Sequence, residues 1–208
     1  MSLQKHHPNF SGIFYLLPDY VKNLKESIAE LDDTGLRIRN HGNLHLGQIL
    51  LGVKEPVLLD YDAEDYDDPG YRRVKQPCLK DFASMIISLR FAWHFTERKY
   101  YAILAENSDN LDLKSPALLS NPAVSEKDQP SLQELENIFT KFYKNSLDEN
   151  MTSLQLRPKN PVKEKLLFNF CFLMEILKEI AREFPEGNPR SRLWLHILQD
   201  FMMQENTI

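Results

Sequence analysis

The apolar positions divide the chain into segments of different rhythm. From Pro18 to Asp33 they fall at Val21, Leu24, Ile28 and Leu31. Intervals of three and four gather them into one helical stripe, and Thr34-Gly35 supplies a stop. Ile49-Leu50-Leu51 and Val57-Leu58-Leu59 are then short apolar runs separated by Gly52 to Pro56, which predicts two strands joined as a hairpin. Tyr61 to Pro77 is polar, first acidic and then basic, with Pro69-Gly70 as a turn, and predicts an exposed loop. A helical pattern follows from Pro77 to about Ala105, with Phe82, Met85, Ile86, Leu89 and Trp93 on one face, as expected of a central buried helix. Asn107 to Gln129 is rich in Ser, Asn, Asp and Pro and predicts a connection. Ser131 and Glu134 have the spacing of a capping box, opening a helix to about Leu147. Asn160-Pro161 and Asn188-Pro189 repeat one opening device, a capping Asn followed by a Pro whose missing N–H costs nothing in the first turn. The helices they open are predicted to run to Phe184 and Met203. The fold class is mainly α with a short β-hairpin.

Length and composition narrow the setting. The 208 residues suit a single domain over 1–208, with a leading helix in 1–36, a loop and hairpin in 37–62, an exposed loop in 63–77 and a helical bundle in 78–208. A content of 42% apolar and 26% charged residues with a net charge of -5 argues for a soluble protein and against a nucleic-acid partner. Cys78 and Cys171 form no closely spaced framework, which predicts a reduced, cytoplasmic setting and no structural disulfide. Met1 to Phe10 lacks the apolar core of a signal peptide, and the longest apolar stretch, Leu166 to Leu177, is interrupted by Asn169 and Glu175. No membrane span is therefore expected.

The candidate chemistry lies in Arg37-Ile38-Arg39-Asn40-His41-Gly42-Asn43-Leu44-His45-Leu46-Gly47-Gln48, followed by the hairpin and Asp60-Tyr61-Asp62. Protein kinases use H-R-D-x-x-x-x-N and then D-F-G, where the first Asp receives the substrate hydroxyl proton and the Asn and second Asp hold magnesium. Positions 43, 48 and 60 reproduce that layout. The five-residue step from 43 to 48 lets one loop aim one side chain at an acceptor and another at a metal, and the hairpin returns Asp60 beside them.

His41-Gly42-x-x-His45-Leu46-Gly47-Gln48 resembles the catalytic loop of maltokinases, including those fused to trehalose synthases, in which the pattern is H-G-D-x-H-L-G-Q. Val57-Leu58-Leu59-Asp60-Tyr61-Asp62 resembles that family's strand ending in D-F-E. The similarity continues through Arg72-Arg73 and Pro77-x-Leu79-x-Asp81 into Phe172-Leu173-Met174-Glu175 and Pro189 to Leu198. The resemblance implies the C-terminal lobe of a protein-kinase-like fold of the aminoglycoside-phosphotransferase type. The implied reaction is ATP-dependent transfer to the anomeric hydroxyl of maltose. On the same basis Asn43 stands at the catalytic base position beside His41 and His45, Gln48 and Asp60 hold Mg2+, and Asp62, Asp81, Arg72 and Arg73 support the site. Asp81 is expected to brace the loop backbone.

Two departures bear on activity. An Asn at position 43 cannot take a proton as a carboxylate does, and loss of a general base costs about 10²- to 10⁴-fold in rate. In addition, the residues before the loop show neither a glycine-rich phosphate loop nor a strand with a V-A-I-K-like lysine. The expected partner is an N-terminal kinase lobe or a trehalose synthase-type protein, with maltose or a related sugar as ligand. Asp62 replaces the family's Glu, one methylene shorter.

Simpler readings cover several other residues. His41 and His45 are four apart, yet Gly42 and the lack of an intervening Glu argue against a helical zinc pair. The acidic run from Asp60 to Asp68 fails as an EF-hand, because Asp65 occupies the required glycine position and Tyr71 the twelfth. Arg72, Arg73 and Lys75 read as surface cations. Phe91, Trp93, Phe95, Tyr100, Tyr101, Phe168, Phe170, Phe172 and Trp194 read as packing residues. A binding module that keeps the kinase-like fold without transferring phosphate is the alternative function, drawn from a different class.

Overall fold

The computed structural model describes residues 10–53, 55–60, 74–108, 131–150, 154–183 and 191–205. In chain order these form α1 (Ser11–Ala29), β1 (Arg37–Ile38), β2 (Ile49–Leu51), β3 (Pro56–Leu58), β4 (Gln76–Pro77), α2 (Leu79–Ser108), α3 (Leu132–Asn150), α4 (Pro161–Glu183) and α5 (Ser191–Glu205). The described chain is mainly helical with two small two-stranded sheets. β1 pairs antiparallel with β4, and β2 with β3.

Two expectations need correction. The helix placed from Pro18 begins at Ser11, with Pro18 inside it. Proline removes one backbone bond there. Ile13, Leu17, Tyr20, Val21, Leu24 and Ile28 nevertheless continue one apolar stripe across it into the core, and packing outweighs the local penalty. Phe10 meets His196 edge-on at 4.8 Å between ring centres. The second correction concerns Gln76 and Pro77, assigned to an exposed loop: they form β4, half-buried, opposite Ile38 and Arg37. Such two-residue ribbons carry no alternation by which sequence could reveal them. The acidic run after Asp60 and the connection after Asn107 lie largely outside the described residues, as do Asn188 and Pro189.

The helix starts have visible causes. The Ser131 backbone N–H donates to Glu134 Oε2 at 2.6 Å and the Glu134 N–H donates to Ser131 Oγ at 3.3 Å, the reciprocal pattern of a capping box. Val162 N–H donates to Asn160 Oδ1 at 2.9 Å, capping α4.

α2 is the central helix, packed against α3, α4 and α5. Leu79, Phe82, Ala83, Ile86 and Ile87 from α2 meet Leu167, Phe172, Leu173 and Ile176 from α4 and Leu195, Leu198 and Phe201 from α5 in one buried cluster. Leu89 and Trp93, expected on the same buried face, are half-buried. Phe82 stacks on Tyr143 at 4.5 Å, and Phe91 on Trp194 at 4.2 Å, so these aromatics serve packing. Within this interior Arg90 donates to both carboxylate oxygens of Glu136, at 2.6 and 3.1 Å, and to Gln204. Lys80 lies 3.6 Å from the Glu175 carboxylate. Burial pushes the Glu175 carboxyl above its usual range, with Lys80 opposing.

Behind β1 the chain is tied by Asp33, whose carboxylate accepts from the Gly35 and Lys159 backbone N–H groups and from Gln155. The Leu36 N–H donates to the Gln155 carbonyl at 2.7 Å. This join fixes where β1 emerges, and with it the start of the loop that follows.

Candidate functional site

The loop from Asn40 to Gln48 is held by side-chain bonds at three places, one on β4 and two on α2. At its start, Asn40 Nδ2 donates to the Pro77 carbonyl at 2.8 Å, linking the loop to β4. Next, Asp81 in the first turn of α2 accepts from the His41 N–H at 2.7 Å and the Gly42 N–H at 2.9 Å, one to each carboxylate oxygen. Further on, Ser88 Oγ accepts from the Leu46 N–H at 3.0 Å. Asp81 and Ser88 are seven residues apart, two helical turns, and so share one face of α2. The segment bearing Asn43 is strung between them.

Both loop histidines turn toward backbone. His41 is 3% exposed, and its Nε2 lies 2.6 Å from the Leu59 carbonyl oxygen. A carbonyl only accepts, so Nε2 carries the proton. His45 Nδ1 accepts from the Gly47 N–H at 3.1 Å, capping the tight turn Leu46–Gln48 that leads into β2. Among the described residues no group of three or more His, Cys, Asp or Glu side chains could hold a metal ion. Gly42 adopts φ 89, a left-handed conformation that glycine enters without a Cβ penalty, and this lets two successive N–H groups point at one carboxylate.

Gln48 and Asp60 flank the base of the β2–β3 hairpin. The Leu59 N–H donates to the Gln48 carbonyl at 2.8 Å, which closes the hairpin and brings the backbone of Asp60 beside Gln48. Asp60 is exposed with φ 50, the positive value found outside glycine among the described residues. Asp tolerates this region better than most side chains. The Asn43 side chain is half-buried and makes no hydrogen bond with a described residue. Its amide is available to donate to and accept from a hydroxyl, and lacks the basicity to take a proton from one.

Electrostatics at the base of the loop are set by burial. Asp81 is held above the usual carboxylate range by desolvation, opposed by the Gly42 and His41 N–H groups. Burial also pushes the Cys78 thiol up and the Cys171 thiol up to about 12. Both cysteines are free and buried, so at neutral pH they are protonated packing groups.

Of the residues singled out by sequence, His41 bonds to Asp81 and to the Leu59 carbonyl, Gln48 bonds to the Leu59 N–H beside Asp60, and Asn43 and His45 lie on the loop between. Asp62, Arg72 and Arg73 lie outside the described residues. Asn40 and Ser88 were not singled out, although both tie the loop down. The seven-residue offset of Ser88 from Asp81 was a signal available for one of them. A cavity of about 350 Å³ is lined by Leu147, Asp148, Gln155 and Arg157 among others, and none of the candidate residues lines it. No helix among the described residues is long and apolar enough to cross a membrane. No protein-family model matches the chain.

Proposed function

We propose that this chain is the C-terminal lobe of a sugar phosphotransferase of the maltokinase type, and that in isolation it binds rather than transfers. The observation that carries the reading is the clamp of Asp81 on the His41 and Gly42 N–H groups, with the hairpin base closed by the Leu59 N–H on the Gln48 carbonyl, next to Asp60 in the chain. A carboxamide oxygen and a carboxylate are hard donors suited to Mg2+, which takes one or two carboxylates and completes its shell with water and substrate phosphates. When bound, the ion would neutralise charge on the transferred phosphoryl group. Gln48 and Asp60 would hold it, and Asn43 would orient the acceptor hydroxyl, maltose or a related sugar by resemblance. Phosphoryl transfer depends mainly on positioning and electrostatics, so replacing the base lowers the rate without removing the other contributions. ATP would be covered by elements of an N-terminal kinase lobe, which residues 1–36 do not supply, or by a trehalose synthase-type partner.

A second reading is favoured by the uncommitted Asn43 amide: a pseudokinase-like module that recognises a sugar or a protein and transfers nothing. Calorimetric titration with magnesium-ATP and, separately, with maltose distinguishes the two. Binding of the metal-nucleotide that is lost in Asp60→Ala supports the phosphotransferase lobe. Maltose binding that is indifferent to ATP and to Asp60→Ala supports the module, and absence of both ligands removes the first reading.

A further inference from the structure

The β1–β4 ribbon pairs Arg37 with Pro77 and Ile38 with Gln76. Continued by one residue, the same antiparallel register sets Arg39 opposite Lys75. Side chains alternate across a strand, and the exposures follow that rule: Ile38 is half-buried against the hydrophobic core, while Arg37, Arg39 and Lys75 are exposed. The three cations therefore share the solvent face of the ribbon. Residues placed as Arg39 and Lys75 are direct cross-strand neighbours with Cα atoms about 5 Å apart, and Arg37 is the diagonal neighbour of Lys75 at about 7–8 Å.

Like charges directly opposed across an antiparallel pair are destabilising, and a ribbon of two residues a side has few ladder bonds to offset them. The chain carries a net charge of -5, so three neighbouring cations run against its overall sign. The Arg37 and Lys75 side chains form no ion pair or hydrogen bond among the described residues, whereas Arg90, Arg157 and Lys163 are each paired with a carboxylate. The face also stands at the root of the loop, since Asn40 follows Arg39 and donates to the Pro77 carbonyl across the same ribbon.

We propose that Arg37, Arg39 and Lys75 form a binding site for a phosphate group, carried by a small molecule or as inorganic phosphate. A phosphate dianion over Arg39 and Lys75 would cancel their repulsion and clip β1 to β4, with Arg37 reaching it from the diagonal position. Arginine supplies a planar fork of N–H donors that matches two phosphate oxygens, and lysine supplies a point charge. Exposed charges attract weakly in water, so the expected dissociation constant is on the order of 1 mM at low salt, rising with ionic strength. The site uses none of Asn43, Gln48 and Asp60, so it stands or falls apart from the phosphotransfer reading.

Amide nitrogen–proton correlation spectra test it, recorded through titrations with sodium phosphate and with glucose 1-phosphate, each against sodium chloride of equal ionic strength. The expected result is a saturable shift of the Arg37, Ile38, Arg39, Lys75 and Gln76 amides that chloride does not reproduce. Equal affinity for the two ligands supports recognition of the phosphate group alone, and tighter binding of glucose 1-phosphate supports a phosphorylated small molecule as its source. Arg37→Gln combined with Lys75→Gln should weaken binding at least about tenfold, while Lys25→Gln, which removes an exposed cation on α1, should leave it unchanged. The double variant also relieves the opposed pair, so its urea midpoint without phosphate should equal or exceed that of the parent chain, which separates lost binding from lost folding. Shifts confined to residues 41–60, shifts matched by chloride, or an affinity unchanged in the double variant overturn the proposal.

Discussion

Replacing Asp81 tests whether the loop is held as described. Its carboxylate is the acceptor for two backbone N–H groups, at 2.7 and 2.9 Å, on His41 and Gly42, both of which are buried. Asp81→Ala strands both donors away from water. Hydrogen bonds to a charged acceptor contribute roughly 1.5–3 kcal/mol each, and the cost of burying the carboxylate offsets part of the sum, leaving an expected loss of about 2–4 kcal/mol. Asp81→Asn retains one acceptor oxygen and turns an NH2 toward the other amide, so it should recover less than half. Urea unfolding at neutral pH measures the loss. Hydrogen exchange localises it: the His41 and Gly42 amides should lose protection beyond the global change, while that of Leu173 in α4 should follow the global change alone. The pH dependence has a definite sign. Because the folded-state pKa is raised, the folded state binds the proton first, so the Asp81 contribution to stability grows as pH falls through that raised value and is smaller at neutral pH. Asp81→Ala should flatten this part of the profile just above the ordinary carboxylate range. A loss under about 0.5 kcal/mol, the level of an ordinary surface change, or unchanged exchange at His41 and Gly42, would refute the clamp.

Three further perturbations address the scaffold. Glu136→Ala should cost about 3–5 kcal/mol by leaving the Arg90 guanidinium unpaired, whereas Glu136→Leu with Arg90→Met should recover most of the loss in urea titrations. Pro18→Ala should stabilise the chain by up to about 3 kcal/mol if α1 runs through that position, since it restores a backbone bond; no gain in melting temperature would mean that the helix begins at Pro18 in solution. Gly35→Ala should destabilise by more than about 1 kcal/mol in the same assay, because Gly35 has φ 68 and an added Cβ would lie 2.5 Å from the Leu156 carbonyl oxygen.

The parts legible in the sequence were those written in local chemistry. The reciprocal cap at Ser131 and Glu134, the Asn160 cap and the hairpin at Ile49–Leu51 and Pro56–Leu58 each depend on residues within a few positions of one another, so spacing alone was informative. Pro18 misled because the local penalty is visible in sequence while the packing of Ile13 and Leu17 that offsets it is not. Gln76 and Pro77 were misassigned because their partner strand lies far away in the chain and is only two residues long. Within the site, motif order brought out His41, Asn43, Gln48, Asp60 and Asp81, but Asn40 and Ser88 act through single bonds to backbone and carry no motif of their own.

That division bears on what the loop is for. A loop joining a two-residue strand to a hairpin could satisfy its backbone with water, yet here a half-buried carboxylate accepts from two successive N–H groups and a buried imidazole contacts the Leu59 carbonyl. Both contacts act at the residues flanking Asn43 and Asp60 rather than in the hydrophobic core. Desolvation of that carboxylate offsets part of what its two bonds contribute, so the arrangement is not explained by stability alone. It is better explained by the need to hold two polar side chains, one from the loop and one from the hairpin base, in fixed relation. Asn43 and Asp60 follow the backbone positions so fixed, Gly42 and Leu59. A carboxamide paired with a carboxylate suits joint recognition of a hydroxyl and a cation more than proton transfer. The expected consequence is separable: Asn43→Asp should leave magnesium-nucleotide binding largely unchanged while altering maltose binding, whereas Asp60→Ala should do the reverse. Calorimetry of the two variants showing the same ligand lost in both would place Asn43 and Asp60 in a single subsite and remove this division of roles.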